Sequence, residues 1–128
     1  MSFKATLHIE DQELNVLQCK YEISQTTDHK GKPSARPKGG LINVLVESDS
    51  KTFLFDWATS ETQIKSGDIT FVKRDTMGKM KQLQFTDAYC VEFSEEFVAK
   101  GDKPMQIELL LSAKEISFGG SSRHENHW

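Results

Sequence analysis

The beginning of the chain alternates strictly between apolar and polar side chains. The apolar positions are Phe3, Ala5, Leu7 and Ile9, and the polar positions are Lys4, Thr6, His8 and Glu10. A two-residue period puts successive side chains on opposite faces of an extended chain. The pattern therefore predicts a half-buried β-strand and commits this part of the chain to a sheet that covers a core.

Further apolar segments of strand length follow. A tight turn is expected at residues 11–12, and the second strand changes phase around Leu17, as a β-bulge would cause. The other predicted strands cover residues 41–46, 69–72, 83–93 and 107–118. One face of the fifth is predicted to hold Leu83, Phe85, Tyr89, Val91 and Phe93. The inward phase of the sixth is expected to shift after Ala113 to Ile116 and Phe118.

Only one segment has convincing helical spacing. Its apolar pairs are four residues apart, Phe53 with Trp57 and Leu54 with Ala58. Asp49 or Ser50 is expected to cap the start of this helix. Six or more strands with one helix predict a mainly β fold, a small barrel or sandwich, and a closed antiparallel β-barrel with one flanking α-helix best avoids exposed strand edges.

The length and charge of the chain narrow the classes of function. One hundred and twenty-eight residues suit a single domain, 1–128, and a net charge of -3 argues against generic nucleic-acid binding. No apolar run approaches the roughly 20 residues that span a bilayer, so no membrane span is predicted. The first residues lack a basic and then apolar leader, so we expect no cleavable signal and synthesis in the cytoplasm.

Residues that could carry chemistry are few. Cys19 and Cys90 are predicted to be reduced, buried thiols, and the pair His124 and His127 with Glu125 is weak evidence for a metal site. None of the common nucleotide-binding or hydrolase motifs is present. The members of a catalytic triad meet only in the fold, so the sequence leaves a small hydrolase open as one alternative. The expectation is a protein without catalytic residues, cofactor or metal.

Residues 28–40 form a long basic segment without apolar periodicity. It contains two of the three prolines of the chain and four cations, Lys30, Lys32, Arg36 and Lys38. Long loops without internal structure are uncommon in small domains and are usually functional or disordered. A phosphate-binding interpretation lacks aromatic stacking partners, so a solvated loop or a protein contact fits better. Residues 119–128 are predicted to be a polar tail.

Nine short segments occur together in a characteristic order: MSFKA (1–5), NVLQCKY (15–21), SQTTD (24–28), GKPS (31–34), KGG (38–40), LFDW (54–57), VKRD (72–75), LQFTDAY (83–89) and HENHW (124–128). In this order and spacing they resemble the tube-forming haemolysin-coregulated protein family (Hcp, also called TssD) of type VI secretion systems, in the form found in Bacteroidetes. The resemblance covers nearly the whole chain.

The resemblance implies a structural protein. Family members are non-enzymatic β-barrels that form six-membered rings, and the rings stack into a hollow tube. A contractile sheath expels this tube with a spike protein of the VgrG type at its tip and effectors in its lumen. The chain is then expected to be cytoplasmic until it is secreted, to the extracellular space or a target cell, without a signal peptide. The alternative is a monomeric barrel that binds a ligand or a single strand.

In a stack of rings, the basic segment of this chain would make contacts between subunits or rings. The expected contact residues there are Asp28, His29, Lys30, Gly31, Lys32, Pro33, Arg36, Lys38 and Gly39. An acidic group is expected on the opposing surface: Glu92, Glu95, Glu96 and Asp102. Opposite charges on two surfaces that meet in a stack would complement each other.

Overall fold

A computed structural model describes residues 3–76, 78–119 and 122–128. The segment MSFKA therefore begins outside the described residues, as do Gly120 and Ser121 of the expected tail. The elements are β1 (Phe3–Ile9), β2 (Gln12–Tyr21), β3 (Leu41–Glu47), α1 (Phe53–Ala58), β4 (Lys65–Lys73), β5 (Lys79–Glu96), β6 (Gln106–Ser117) and β7 (Arg123–Glu125).

Six of the strands close into a barrel. Their order is β3-β2-β1-β4-β5-β6, and β3 also pairs with β6, so the first and last strands of the sheet meet. Every pairing is antiparallel. The seventh strand, β7, pairs with β6 outside the closed set. The predicted mainly β fold with a closed barrel and one helix is confirmed.

The interior of the barrel is filled with apolar side chains. Trp57 and Phe85 are the largest of the fully buried residues, and leucine, isoleucine and valine side chains from the strands surround them. In residues 3–76, 78–119 and 122–128, no polar or charged residue is buried. The barrel is thus a packed core rather than a ligand cavity.

The helix has the predicted inner stripe but not the predicted cap. Leu54 and Trp57 are buried, with Phe53 and Ala58 partly buried against the core. The N-cap is Thr52, not Asp49 or Ser50, and its side chain makes no capping hydrogen bond. The Asp49 carboxylate instead accepts the Lys51 N–H at 2.9 Å, a local turn that precedes the helix. No helix in the described part of the chain is long and apolar enough to cross a membrane.

Strand β5 differs from its predicted single apolar face. Its inward residues are Leu83, Phe85, Ala88 and Cys90, whereas Tyr89 is half-buried and Val91 is 52% exposed. The phase changes because the pairing register of β5 shifts three times. Two shifts are against β4, between Lys65 and Gly67 and between Phe71 and Val72, and one is against β6, between Cys90 and Glu92.

Three smaller expectations concern turns and bulges. The β1–β2 turn is Glu10 and Asp11 rather than residues 11–12, because Ile9 pairs with Gln12 and Glu10 adopts a positive φ of 57°. The bulge near Leu17 is confirmed by the register shift between Val16 and Gln18. The phase shift in β6 buries Ile116 as predicted, but Phe118 lies beyond the strand and is exposed.

Candidate assembly surface

The strand register separates the two charged segments to opposite ends of the barrel. Strand β3 begins at Leu41 opposite Ser112 and ends at Glu47 opposite Gln106. Residues 22–40 lead into Leu41, while residues 97–105 join β5 to β6 just before Gln106. We therefore call the first the hairpin end and the second the tip end of the barrel.

The segment that the sequence shows as a long loop is an extended hairpin, here called the basic hairpin (residues 22–40). At its base, Ser24 and Lys38 exchange two backbone hydrogen bonds of 2.9 and 2.6 Å. Farther out, the Ser34 N–H donates to the Thr26 carbonyl at 2.9 Å, and Thr27 forms a bridge with Pro33. Its backbone bonds give this segment a defined shape.

The far end of the basic hairpin is organised around Asp28. Its carboxylate accepts the N–H groups of Lys30 at 2.9 Å and Lys32 at 3.1 Å, and its backbone N–H donates to the Lys32 carbonyl at 2.8 Å. Gly31 has φ of 85°, a conformation that favours glycine. Asp28 and Gly31 therefore stabilise the turn, and the partners of Asp28 lie within the hairpin itself.

The cations of the basic hairpin point into solvent. Residues 22–38 are all exposed, including His29, Lys30, Lys32, Arg36 and Lys38. Residues 28–40 contain four cations and one carboxylate, that of Asp28, so the segment carries a net charge of +3 with histidine neutral. This end of the subunit thus presents an exposed positive surface.

Glu92, Glu95 and Glu96 extend along β5 toward the tip end, and Asp102 lies in the connection that follows. All four side chains are exposed, and the Ser48 hydroxyl donates a hydrogen bond to Glu95. The fold places Glu95, Glu96 and Asp102 toward the end of the barrel opposite the basic hairpin. Glu92 lies farther back on the barrel wall, opposite Leu110.

The charge separation extends to the other connections of the barrel. At the hairpin end, residues 22–40 and 73–79 carry seven cations and three carboxylates. At the tip end, residues 10–13, 47–64 and 95–105 carry ten carboxylates and three cations. The strand register assigns these segments to their ends, because Phe3 pairs with Lys73 at the hairpin end and Ile9 pairs with Gln12 at the tip end. The subunit is consequently electrostatically polar from end to end.

One histidine on the barrel wall lies between two carboxylates. His8 Nδ1 lies 3.0 Å from Asp68 Oδ1, and its Nε2 lies 3.4 Å from Glu13 Oε1. Within the described ranges no three metal-ligating side chains converge. Burial raises the pKa of the Cys19 and Cys90 thiols to about 11, which disfavours the nucleophilic thiolate.

Residues 122–128 are more ordered than the predicted polar tail. Residues 123–125 form β7, and the Trp128 ring lies 5.2 Å from the ring of Tyr89. His124 Nε2 is hydrogen-bonded to Asn126 Oδ1 at 3.0 Å. A three-residue polar strand has no apolar alternation, so the sequence carried no signal for it.

Comparisons with known proteins agree with this architecture. The family model "Hemolysin coregulated protein Hcp (TssD)" matches residues 1–128. Hcp1 from Flavobacterium johnsoniae is 36% identical, with a TM-score of 0.89 over 96% of this chain and 99% of that one. Hcp1 from Salmonella typhimurium is 18% identical, with a TM-score of 0.74 over 91% and 85% of the two chains.

A third structure, Hcp1 from Escherichia coli EAEC 042, is 14% identical, with a TM-score of 0.73 over 98% of each chain. At such low identity these last two structures support the fold alone. A search of curated proteins finds no significant match.

Proposed function

This chain belongs to the Hcp (TssD) family and is a tube component of a type VI secretion system, and we propose that its rings stack through the two oppositely charged ends of the barrel. The family consists of structural tube proteins rather than enzymes, and it forms hexameric rings that are secreted. The proposal concerns how this particular chain joins one ring to the next.

The observation that carries the proposal is the charge polarity of the subunit. Repeated stacking in one direction brings the hairpin end of each subunit against the tip end of a subunit in the next ring, a contact between unlike surfaces. Lys30, Lys32, Arg36 and Lys38 would then face Glu92, Glu95, Glu96 and Asp102. Stacking two identical ends would instead bring charges of the same sign together, and these repel each other.

Many weak ion pairs can together hold one ring on the next. An exposed pair contributes on the order of 1 kcal/mol or less, but a six-fold ring repeats each pair six times. Salt screens such contacts, with a Debye length of about 8 Å near physiological ionic strength and about 3 Å at 1 M. We therefore expect high salt to separate stacked rings and to leave the rings intact.

The remaining parts of the proposal follow from family membership. The chain would act as one structural unit, residues 1–128, in a tube that carries effector proteins in its lumen, bears a VgrG-type spike and is driven by a contractile sheath. It would leave the cytoplasm without a cleavable signal. It would have no catalytic activity, cofactor or nucleic-acid ligand.

A charge-swap experiment tests the stacking proposal. One variant changes Lys30, Lys32, Arg36 and Lys38 to Glu, and a second changes Glu92, Glu95, Glu96 and Asp102 to Lys. Each variant should remain a ring of six subunits by native mass spectrometry, with a melting temperature close to that of the parent. Each should also fail to form long tubes by negative-stain microscopy.

Three further samples make the test decisive. Mixing the two variant rings should restore stacks, because their reversed ends are again complementary. A control that exchanges lysine for arginine and arginine for lysine at the four hairpin positions should stack normally. Normal tubes from either charge-reversed variant would refute the proposed stacking contact, and a monomer from the parent protein would refute ring formation itself.

A further inference from the structure

Strand β6 is covered along one edge by two segments placed end to end. Strand β3 pairs with it up to Ser112, opposite Leu41, and the Ala113 N–H then donates to the Gly40 carbonyl at 2.7 Å. Beyond this point the chain leaves β6 for the basic hairpin, and residues 123–125 take the vacated edge opposite residues 115–117. The pairing of the tail with β6 therefore ends, at Asn126, where the hairpin departs.

Asn126 occupies the junction between these two segments. Its backbone N–H donates to the Lys114 carbonyl at 2.7 Å. Its side-chain Nδ2 donates to the Gly39 carbonyl at 2.9 Å and to the Ala113 carbonyl at 3.1 Å. Two donors facing two carbonyls assign the amide orientation, so Asn126 Oδ1 is the acceptor from His124 Nε2.

The glycines at the base of the hairpin leave space for this contact. A β-carbon on Gly40 would overlap Asn126 Nδ2 and lie 2.6 Å from the Ala113 carbonyl oxygen, and the φ of Gly40 is 96°. A β-carbon on Gly39 would overlap Ile23 and approach the His124 ring at 3.1 Å. Because Gly39 and Gly40 have no side chains, His124 and Asn126 can pack closely against the base of the hairpin.

We propose that residues 123–126 form a clasp that sets the orientation of the basic hairpin, with Asn126 as its positioning residue. Residues 22–38 are exposed throughout, so the direction of the hairpin depends on how its base is held. The clasp attaches Gly39 to β6 through Asn126, which lies 87 residues farther along the chain. Its consequence for stacking rests on the proposed function above, whereas its effect on hairpin order does not.

Hydrogen exchange in the full-length protein tests the clasp directly. Asn126→Ala removes the two side-chain donors, and Asn126→Asp keeps the shape while placing a carboxylate against two carbonyl oxygens. Exchange of the Ser24 and Lys38 amides should accelerate about tenfold in both variants, the change expected for one or two ordinary hydrogen bonds. The amides of Leu109 and Leu111 in the barrel should exchange as in the parent.

A second pair of variants separates positioning from general loss of structure. His127→Ala is the matched control, because His127 is exposed in the same segment and should leave hairpin exchange unchanged. Gly40→Ala should loosen the hairpin as Asn126→Ala does. Combining the two should loosen it by less than the product of their separate effects, because the overlap with Nδ2 disappears.

The outcomes decide the two proposals independently. Unchanged exchange at Ser24 and Lys38 in the Asn126 variants, or equal acceleration in the barrel, would overturn the clasp. Faster exchange at the hairpin with fewer tubes would support both the clasp and the stacking role. Faster exchange with normal tubes would leave the clasp standing and count against the hairpin as a stacking contact.

Discussion

Replacing Trp57 with alanine tests whether α1 is part of the barrel core. Trp57 is completely buried, and it lies beside Leu54 in the hydrophobic cluster that fills the barrel. Removing a large aromatic side chain from such a site costs about 3 to 5 kcal/mol, from lost transfer free energy and the cavity left behind. Its Nε1 also donates to the Gln63 carbonyl at 3.1 Å, but Gln63 is exposed, so water can replace this bond.

The expected loss of stability is large enough for a simple thermal assay. A change of 1 kcal/mol shifts the melting temperature of a domain of this size by about 4 °C, so Trp57→Ala should lower it by roughly 12 to 20 °C. The comparison requires equal protein concentrations, because ring formation also stabilises the folded subunit. Circular dichroism during heating and urea titration provides two independent measurements.

Trp128→Ala is the matched control, since Trp128 is 59% exposed and contacts Tyr89 at the surface. We expect that substitution to change the melting temperature by only a few degrees. Trp57→Phe should fall between the two, because it preserves part of the core volume. If Trp57→Ala and Trp128→Ala lower the melting temperature equally, the assignment of α1 to the core is wrong.

Two further predictions concern a close backbone approach and the thiols. Gly67→Ala should lower the free energy of unfolding, measured by urea titration, by about 1 to 3 kcal/mol, because its β-carbon would overlap the His8 carbonyl oxygen in β1. Gly31→Ala is the control: its β-carbon would meet open space, so only a backbone cost of about 1 kcal/mol is expected. Equal losses of stability in the two variants would contradict this reasoning. Burial raises the pKa of Cys19 and Cys90 from 9.0 to about 11, so the folded state retains these protons more strongly than the unfolded state. The contribution of the two protonated thiols to the stability of the fold is fully present below pH 9 and is lost as the pH rises through 11. Changing both cysteines to alanine should therefore reduce the fall in melting temperature between these pH values. An unchanged fall would show that the thiols do not contribute to it.

Much of the barrel could be predicted from the sequence because its strands bury one face. Alternation in β1 and the apolar segments of β3 and β6 indicated strands that the structure contains, and the i, i+4 pairs located α1. Strand β5 shows the limit of this reasoning. Its three register shifts depend on the partner strands, so the sequence of β5 alone could not show that Val91 faces solvent.

The assembly surface was only half visible in the sequence. Its composition marked the basic and acidic segments, because charges and glycines are local properties. Their placement at opposite ends of the barrel depends on the pairing of β3 with β6, a contact between distant parts of the chain. The clasp was missed for the same reason, since β7 is held by the free edge of β6 rather than by its own sequence pattern.

The two tryptophans of this chain occupy opposite surroundings, and this gives the protein two intrinsic optical probes. The indole of Trp57 is buried among apolar side chains, so we expect blue-shifted emission that a polar quencher does not reach. The indole of Trp128 is exposed, so we expect red-shifted emission that is readily quenched. Fluorescence can therefore follow the barrel and the clasped tail separately in the unlabelled protein, as rings assemble and as they come apart.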